Sequence, residues 1–286
     1  GEHELAGWRN GFDQRLCLDG RCRLVSITSL DNRIAAAEKR VRYSKTTART
    51  SVANINFSVH DLAGNPGAGS MAVGNTANGI VPTDAIAGYP TLPTPSGTLY
   101  LSGIQATNSV ASWLLFYDTL FSCGAYAFNA DTTLASQPSY SGRLANTGDY
   151  SNLELWVEAA TAFTLNPSIQ INYLDEGGNA GDTGVIATGA ALTLGRMVQM
   201  PLAAGDSGVS QITRVRCTVA SAGTFNVHVM RFLGAVRVNV ANFGEVQDLF
   251  RLGLPKIYGD SAIRVLVQAD STSTGLPTIR LTTADG

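Results

Sequence analysis

Leu153-Glu154-Leu155-Trp156-Val157-Glu158 alternates side chains so that Leu153, Leu155 and Val157 share one face of an extended chain and the two glutamates share the other. A β-strand repeats every two residues, so this spacing predicts a strand with one apolar face. The same period recurs downstream. In Ile169-Gln170-Ile171-Asn172-Tyr173 the apolar side chains are separated by amides. Val215, Cys217 and Val219 alternate with Arg214, Arg216 and Thr218, and Phe225, Val227 and Val229 with Asn226 and His228. Val236, Val238 and Val240 alternate with Arg237 and Asn239; Ile263, Val265 and Val267 oppose Arg264 and Gln268; Ile279 and Leu281 flank Arg280. Trp113-Leu114-Leu115-Phe116-Tyr117 is apolar throughout, as a central strand is. Short alternating strands separated by Gly, Asn and Asp predict a mainly β protein, an antiparallel sandwich or barrel, with a jelly-roll-like β-sandwich over residues 98–286 as the expected form. No fixed-period repeat points to a propeller or solenoid.

Upstream the pattern changes. Residues 50–97 are rich in turn signals, including Gly64-Asn65-Pro66-Gly67, Gly74-Asn75, Asn78-Gly79 and Thr94-Pro95-Ser96-Gly97. So long a loop-rich span needs outside support, and an extended segment laid over a neighbouring subunit would supply it. Residues 1–49 read as a basic arm carrying one short helix. Ser29 is the expected N-cap, Asp31 sits in the first turn, and Lys39, Arg40 and Arg42 crowd the C-terminal end, the charge order a helix dipole favours. Leu30, Ile34, Ala37 and Val41 form a thin apolar stripe suited to lying on another surface.

Charged residues are only 15% of the chain, against a usual quarter or so, while 44% are hydrophobic. A surface built from neutral polar groups is cheaper to bury against another protein than one built from charges. Residues 1–49 hold 10 Lys/Arg and 6 Asp/Glu, whereas the rest holds 10 and 16. The arm is therefore expected to dock on something acidic, a neighbouring protein surface or another copy of the body rather than nucleic acid. No apolar run reaches the ~18 residues of a membrane span, and the start resembles no signal peptide, which fits assembly in a cytoplasm. Cys17 and Cys22 flank a turn-like Leu18-Asp19-Gly20-Arg21 and are close enough in sequence for a disulfide, although a reducing cytoplasm would keep them as thiols. Their spacing is not that of a zinc knuckle. Cys217 falls on an apolar strand face and is expected to be buried.

Chemistry-bearing motifs are few. Gly205-Asp206-Ser207-Gly208 matches the surroundings of a chymotrypsin-like nucleophile, and His60, Asp118 and Ser207 follow that triad's chain order. Val209-Ser210 replaces the usual continuation, and His60 lacks the Ala-x-His-Cys context, so the motif reads as a turn between strands. His228 alternates outward and is expected at the surface. Asp175 to Asp182 gathers oxygen groups in a Gly-rich loop without EF-hand spacing, and a hairpin loop is the expected reading. Glu154 and Glu158 share a strand face but stand ~13 Å apart, wider than a glycosidase pair. No catalytic residue, metal site or cofactor is expected.

Several segments resemble virion structural proteins of tailed phages, of the capsid decoration or accessory type. They are Trp113-Leu114-Leu115-Phe116-Tyr117-Asp118, Leu155-Trp156-Val157-Glu158, Ile171-Asn172-Tyr173, Pro201-Leu202-Ala203-Ala204-Gly205-Asp206-Ser207-Gly208-Val209 and Gly253-Leu254-Pro255-Lys256-Ile257-Tyr258. The resemblance runs from about Thr50 to Thr283. It implies a β-sandwich cement protein that binds a major capsid protein or other shell or neck protein and stabilises the particle; a symmetric homo-oligomer, such as a trimer, would fit a repeating lattice. A tail-associated receptor- or glycan-binding module is the alternative it leaves open. The expected interface residues are Leu30, Arg33, Ile34, Lys39, Arg40, Val41 and Arg42 on the arm, and Trp156 as an exposed aromatic on the body.

Overall fold

The computed structural model describes residues 27–218 and 222–286, together with the backbone of a two-residue ladder pairing Cys17–Leu18 with Arg21–Cys22. That ladder sets Cys17 opposite Cys22; their side chains, and hence the disulfide, lie outside the described residues. The main strands in chain order are β1 (Ala37–Lys45), β2 (Asn56–Ser58), β3 (Leu99–Thr107), β4 (Ser112–Ala127), β5 (Asp131–Thr133) and β6 (Leu153–Thr161). There follow β7 (Ser168–Leu174), β8 (Met197–Met200), β9 (Gln211–Thr218), β10 (Thr224–Val238), β11 (Ile263–Ala269) and β12 (Thr278–Asp285). Two short helices are present, α1 (Leu30–Ala35) and α2 (Leu249–Leu252).

The strands form three antiparallel sheets. The central sheet runs β8-β6-β10-β4-β11-β2, with Asn75–Ile80 added beside β4. The second sheet centres on β7, β9 and β5, and the third on β3, β12 and β1. At 16 and 15 residues, β4 and β10 reach ~50 Å, long enough for two sheets to pack side by side against them. Bulges near Val229 and Phe232 bend this long pair and reset its register.

One face of the central sheet carries both cores. Phe121, Cys123, Val157, Val227 and Val229 pack with Ile169, Ile171, Val215 and Cys217 of the second sheet. Leu114, Phe116, Val236, Val238 and Val265 pack with Tyr43, Leu101, Ile104, Ile279 and Leu281 of the third. Between them, Asp118 and Arg231 face each other across β4 and β10. The fully buried Asp118 carboxylate accepts from Arg143 Nη2 at 2.6 Å, Ser261 Oγ at 2.8 Å and Arg231 Nη2 at 3.2 Å. A charge there is tolerable only because it is fully hydrogen-bonded.

The opposite face of the central sheet is covered too, and this corrects several expectations. Residues 50–97 lie over their own body rather than a neighbour's: β2 joins the central sheet, and His60, Tyr89 and Leu92 are buried. Under that cover Trp156 is 2% exposed, packed with Tyr117, Met197, Met230 and Leu266, so it is not an exposed interface aromatic. His228 is likewise fully buried instead of facing solvent. Cys217 is buried as its strand position predicts.

The helix expected to run on to Arg42 is also shorter than its stripe suggested. Ser29 caps α1 by accepting from the Asn32 N–H at 3.1 Å, but the chain turns extended at Ala36 and continues as β1. Val41, Tyr43 and Lys45 point inward at alternate positions, and β1 pairs along its whole length with β12. Burying Val41 and Tyr43 against Ile279 and Leu281 outweighs the local helix preference. Leu30 and Ile34, on the surviving helix, are 61% and 72% exposed.

Candidate interaction face

Because Val41, Tyr43, Ile279 and Leu281 point into the core, the residues between them point to solvent on the outer face of the third sheet. Those residues include Arg40 and Arg42 of β1 and Arg280 of β12. Arg42 stands directly opposite Arg280, which stands opposite Gln105 of β3. Arg280 Nη1 donates to Gln105 Oε1 at 3.5 Å. The ion pairs among the described residues use Arg33, Arg49, Arg143, Arg214, Arg216, Arg231, Arg237 and Arg264; Arg40, Arg42 and Arg280 have no carboxylate, as is also true of Arg196 and Arg251 elsewhere. Like charges directly opposite on a sheet repel, so this arrangement disfavours the isolated molecule slightly and favours an anionic partner.

Two grooves flank these arginines. One of about 620 Å³ is lined by Arg42, Gln105, Glu245, Val246 and Arg280. The other, of about 310 Å³, is lined by Arg40, Val246 and Arg280 together with Glu38, which pairs with Arg33, and Asp248, which caps α2. Val246 is 53% exposed, and Phe243 and Phe250 nearby in sequence are 64% and 79% exposed. Arginine beside an exposed apolar side chain such as Val246 is a composition found at interfaces.

The arm residues singled out in the sequence divide among different roles. Arg33 pairs with Glu38 and donates to Ser102 Oγ at 3.3 Å, tying α1 to the third sheet. Val41 is a core residue beneath the face, while Arg40 and Arg42 belong to it. Lys39 is exposed near Asp285, whose carboxylate it helps to hold low after the hydrogen bonds from Ser96 and Gly97. Arg280 was not among the expected site residues, although the Ile279-Arg280-Leu281 alternation marks it as outward.

The protease constellation does not come together. His60 lies against Tyr89 and between Gly69 and Gly88; Asp118 is held by two arginines on the other face of the central sheet. Ser207 is exposed in its turn and donates its backbone N–H to Glu176 Oε2 at 2.9 Å. Asp175 organises the Gly-rich loop as a hairpin loop would, accepting from the Gly177 and Asn179 N–H groups at 2.8 and 2.7 Å. Glu154 accepts from Trp156 Nε1 at 2.8 Å and Tyr117 OH at 3.1 Å.

Glu158 sits in a buried network that pattern reading missed. Its carboxylate accepts from Arg264 Nη1 at 2.7 Å and Asn226 Nδ2 at 3.1 Å, and lies 3.1 Å from His228 Nε2. His228 Nδ1 is 2.7 Å from Ser122 Oγ, and Arg264 Nη2 donates to Tyr89 OH at 2.9 Å. Burial alone would raise the carboxyl of Glu158, but Arg264 and His228 together hold it well below its ordinary value. Ser122, His228 and Glu158 form a hydroxyl–imidazole–carboxylate chain, yet all three are at most 2% exposed, which removes them from any substrate. The chain's role is to satisfy polar groups under the covering segment.

No protein-family model matches this chain, and no curated protein matches it. Among solved structures, it is similar to that of the infectious bursal disease virus Gt strain, with 9% identity over 87% of this chain and 81% of that one, at a TM-score of 0.18. A subviral particle of VP2 from the same virus gives 9% identity over 88% and 80% at 0.19, and the Gx strain 10% over 87% and 80% at 0.20. These viral neighbours are weak, and overlap so slight carries no functional argument.

Proposed function

We propose that this chain is a non-enzymatic structural component of a virus particle, a decoration or cement protein that stabilises the shell by protein–protein contacts. The observation that carries this reading is the outer face of the third sheet. There Arg40, Arg42 and Arg280 stand unpaired beside grooves lined by the half-exposed Val246. The low charge of the whole chain supports it, since neutral polar surface is buried at small cost. The exposed Leu30 and Ile34 of α1 suit docking on a shell or neck protein. Replacing Arg40 and Arg42 by Glu lowers occupancy on purified particles, measured by quantitative gel or mass spectrometry. Unchanged occupancy removes the face from the account.

One observation favours a second reading, a glycan-binding module. A cleft of about 930 Å³ is lined by Asn152, Glu154, Gln199, Asp206 and the 44%-exposed Phe232. Carboxylates, amides and one open ring are groups that hold sugar hydroxyls and sugar faces. Binding of the isolated protein to host glycans, lost on Phe232→Ala, would place the chain in that class instead.

A further inference from the structure

Between Arg143 and Arg196 the sequence contains no Lys or Arg at all. The acidic residues of this stretch, other than Glu154 and Glu158 of the central sheet, belong to or adjoin the second sheet and its loops. Several converge. Glu176 accepts from the Ser207 and Gly208 N–H groups at 2.9 and 3.1 Å, which brings it beside Asp206. Asp206 in turn accepts from Tyr173 OH at 2.7 Å, next to the 180–182 strand that ends in Asp182. Asp149 lines a cleft with Asp206 and Ser207, whose neighbouring N–H groups Glu176 holds. None of these carboxylates is ion-paired among the described residues. Backbone N–H donors hold Asp149 and Glu176 below the usual carboxylate range, so both stay charged at neutral pH.

Among the described residues there is thus a basic surface on the third sheet without ion pairs and an acidic surface on loops of the second without ion pairs. Resting on the structural role proposed above, we infer that the partner of the Arg40, Arg42 and Arg280 face is the acidic Asp149, Glu176 and Asp182 surface of a second copy of this chain. Such a contact joins two different surfaces; where a copy engages a different neighbour through each, it is heterologous and propagates from copy to copy until a ring or lattice closes it. A two-fold dimer that used the basic surface alone would instead set arginine against arginine. Charge complementarity here selects the acidic surface as the partner.

Sedimentation velocity on the full chain tests this at low and high salt. Wild-type protein self-associates at about 0.05 M salt, and the association weakens about tenfold or more at 0.5 M, because exposed charges are screened within a few ångströms there. R42E/R280E and D149K/D182K each sediment as monomers with the far-ultraviolet circular dichroism of the folded chain, and an equimolar mixture of the two associates again through the restored charge pairs. A wild-type chain that stays monomeric at every salt and concentration overturns the self-contact, as does a mixture that fails to recover. If occupancy on particles still falls for R40E/R42E while the wild type is monomeric, the self-contact alone has failed and the structural role stands. If the chain is absent from particles, the role itself has failed.

Discussion

Glu158 shows what covering both faces of a sheet demands of a single residue. Buried at 1% exposure, it keeps its charge because Arg264, Asn226 and His228 all turn toward it. Glu158→Ala leaves the Arg264 guanidinium buried without its counter-charge and costs ~3–5 kcal/mol in urea unfolding. A loss below ~1 kcal/mol would mean that the buried Arg264 does not depend on this carboxylate. The same region sets the response to acid. Burial lowers His60 from its ordinary value of 6.5 to about 3, and His228 is lowered by burial and by Arg264. The folded state therefore holds both rings neutral while the unfolded chain protonates below about 6.5, so stability falls as pH drops from there toward the folded values. Glu158, depressed in the fold, adds stability above its unfolded value of about 4.3, which is lost as pH falls further. Each histidine contributes a slope of at most ~1.4 kcal/mol per pH unit. Thermal melts between pH 7 and 5 should show a clear fall in Tm, and a flat profile would contradict neutral burial.

At the scale of elements, β1 is where sequence and structure part. Leu30, Ile34, Ala37 and Val41 carry helical spacing, and the Ala-rich run from Ala35 to Ala37 favours a helix locally. The winning contact, Val41 opposite Leu281, pairs residues from nearly opposite ends of the chain and is invisible to any local window. Tyr43→Ala removes a buried ring from that strand and costs ~3–5 kcal/mol. Ile34→Ala, on the exposed helix, stays within ~0.5 kcal/mol. Reversed magnitudes would restore the helical reading of 37–42. The period-two strands β6, β7 and β9 to β12 were legible because one face of each buries a regular apolar row, whereas the short β8, buried only at its two ends, carries no such alternation. What period alone could not say is whether the other face is wet. Trp156, His228 and Glu158 read as outward for that reason, and only the layer carrying His60 and Tyr89 makes them interior.

For the whole molecule, one long central sheet serves two cores on a single face, with Asp118 and its arginines at the seam between them. That architecture places the third sheet with its outer side open, and the outer side carries the unpaired arginines. Their presence on β1 was legible in the sequence as a basic segment; their union with Arg280 was not, since it needs the pairing of β1 with β12. The proposed structural role depends on that face being covered in the particle. Cryo-electron microscopy of purified particles measures this directly. Many ordered copies on the shell, with protein density against Arg40, Arg42 and Arg280, is the predicted result. Particles that lack the chain, or that carry it with this face open to solvent in every copy, would contradict the account.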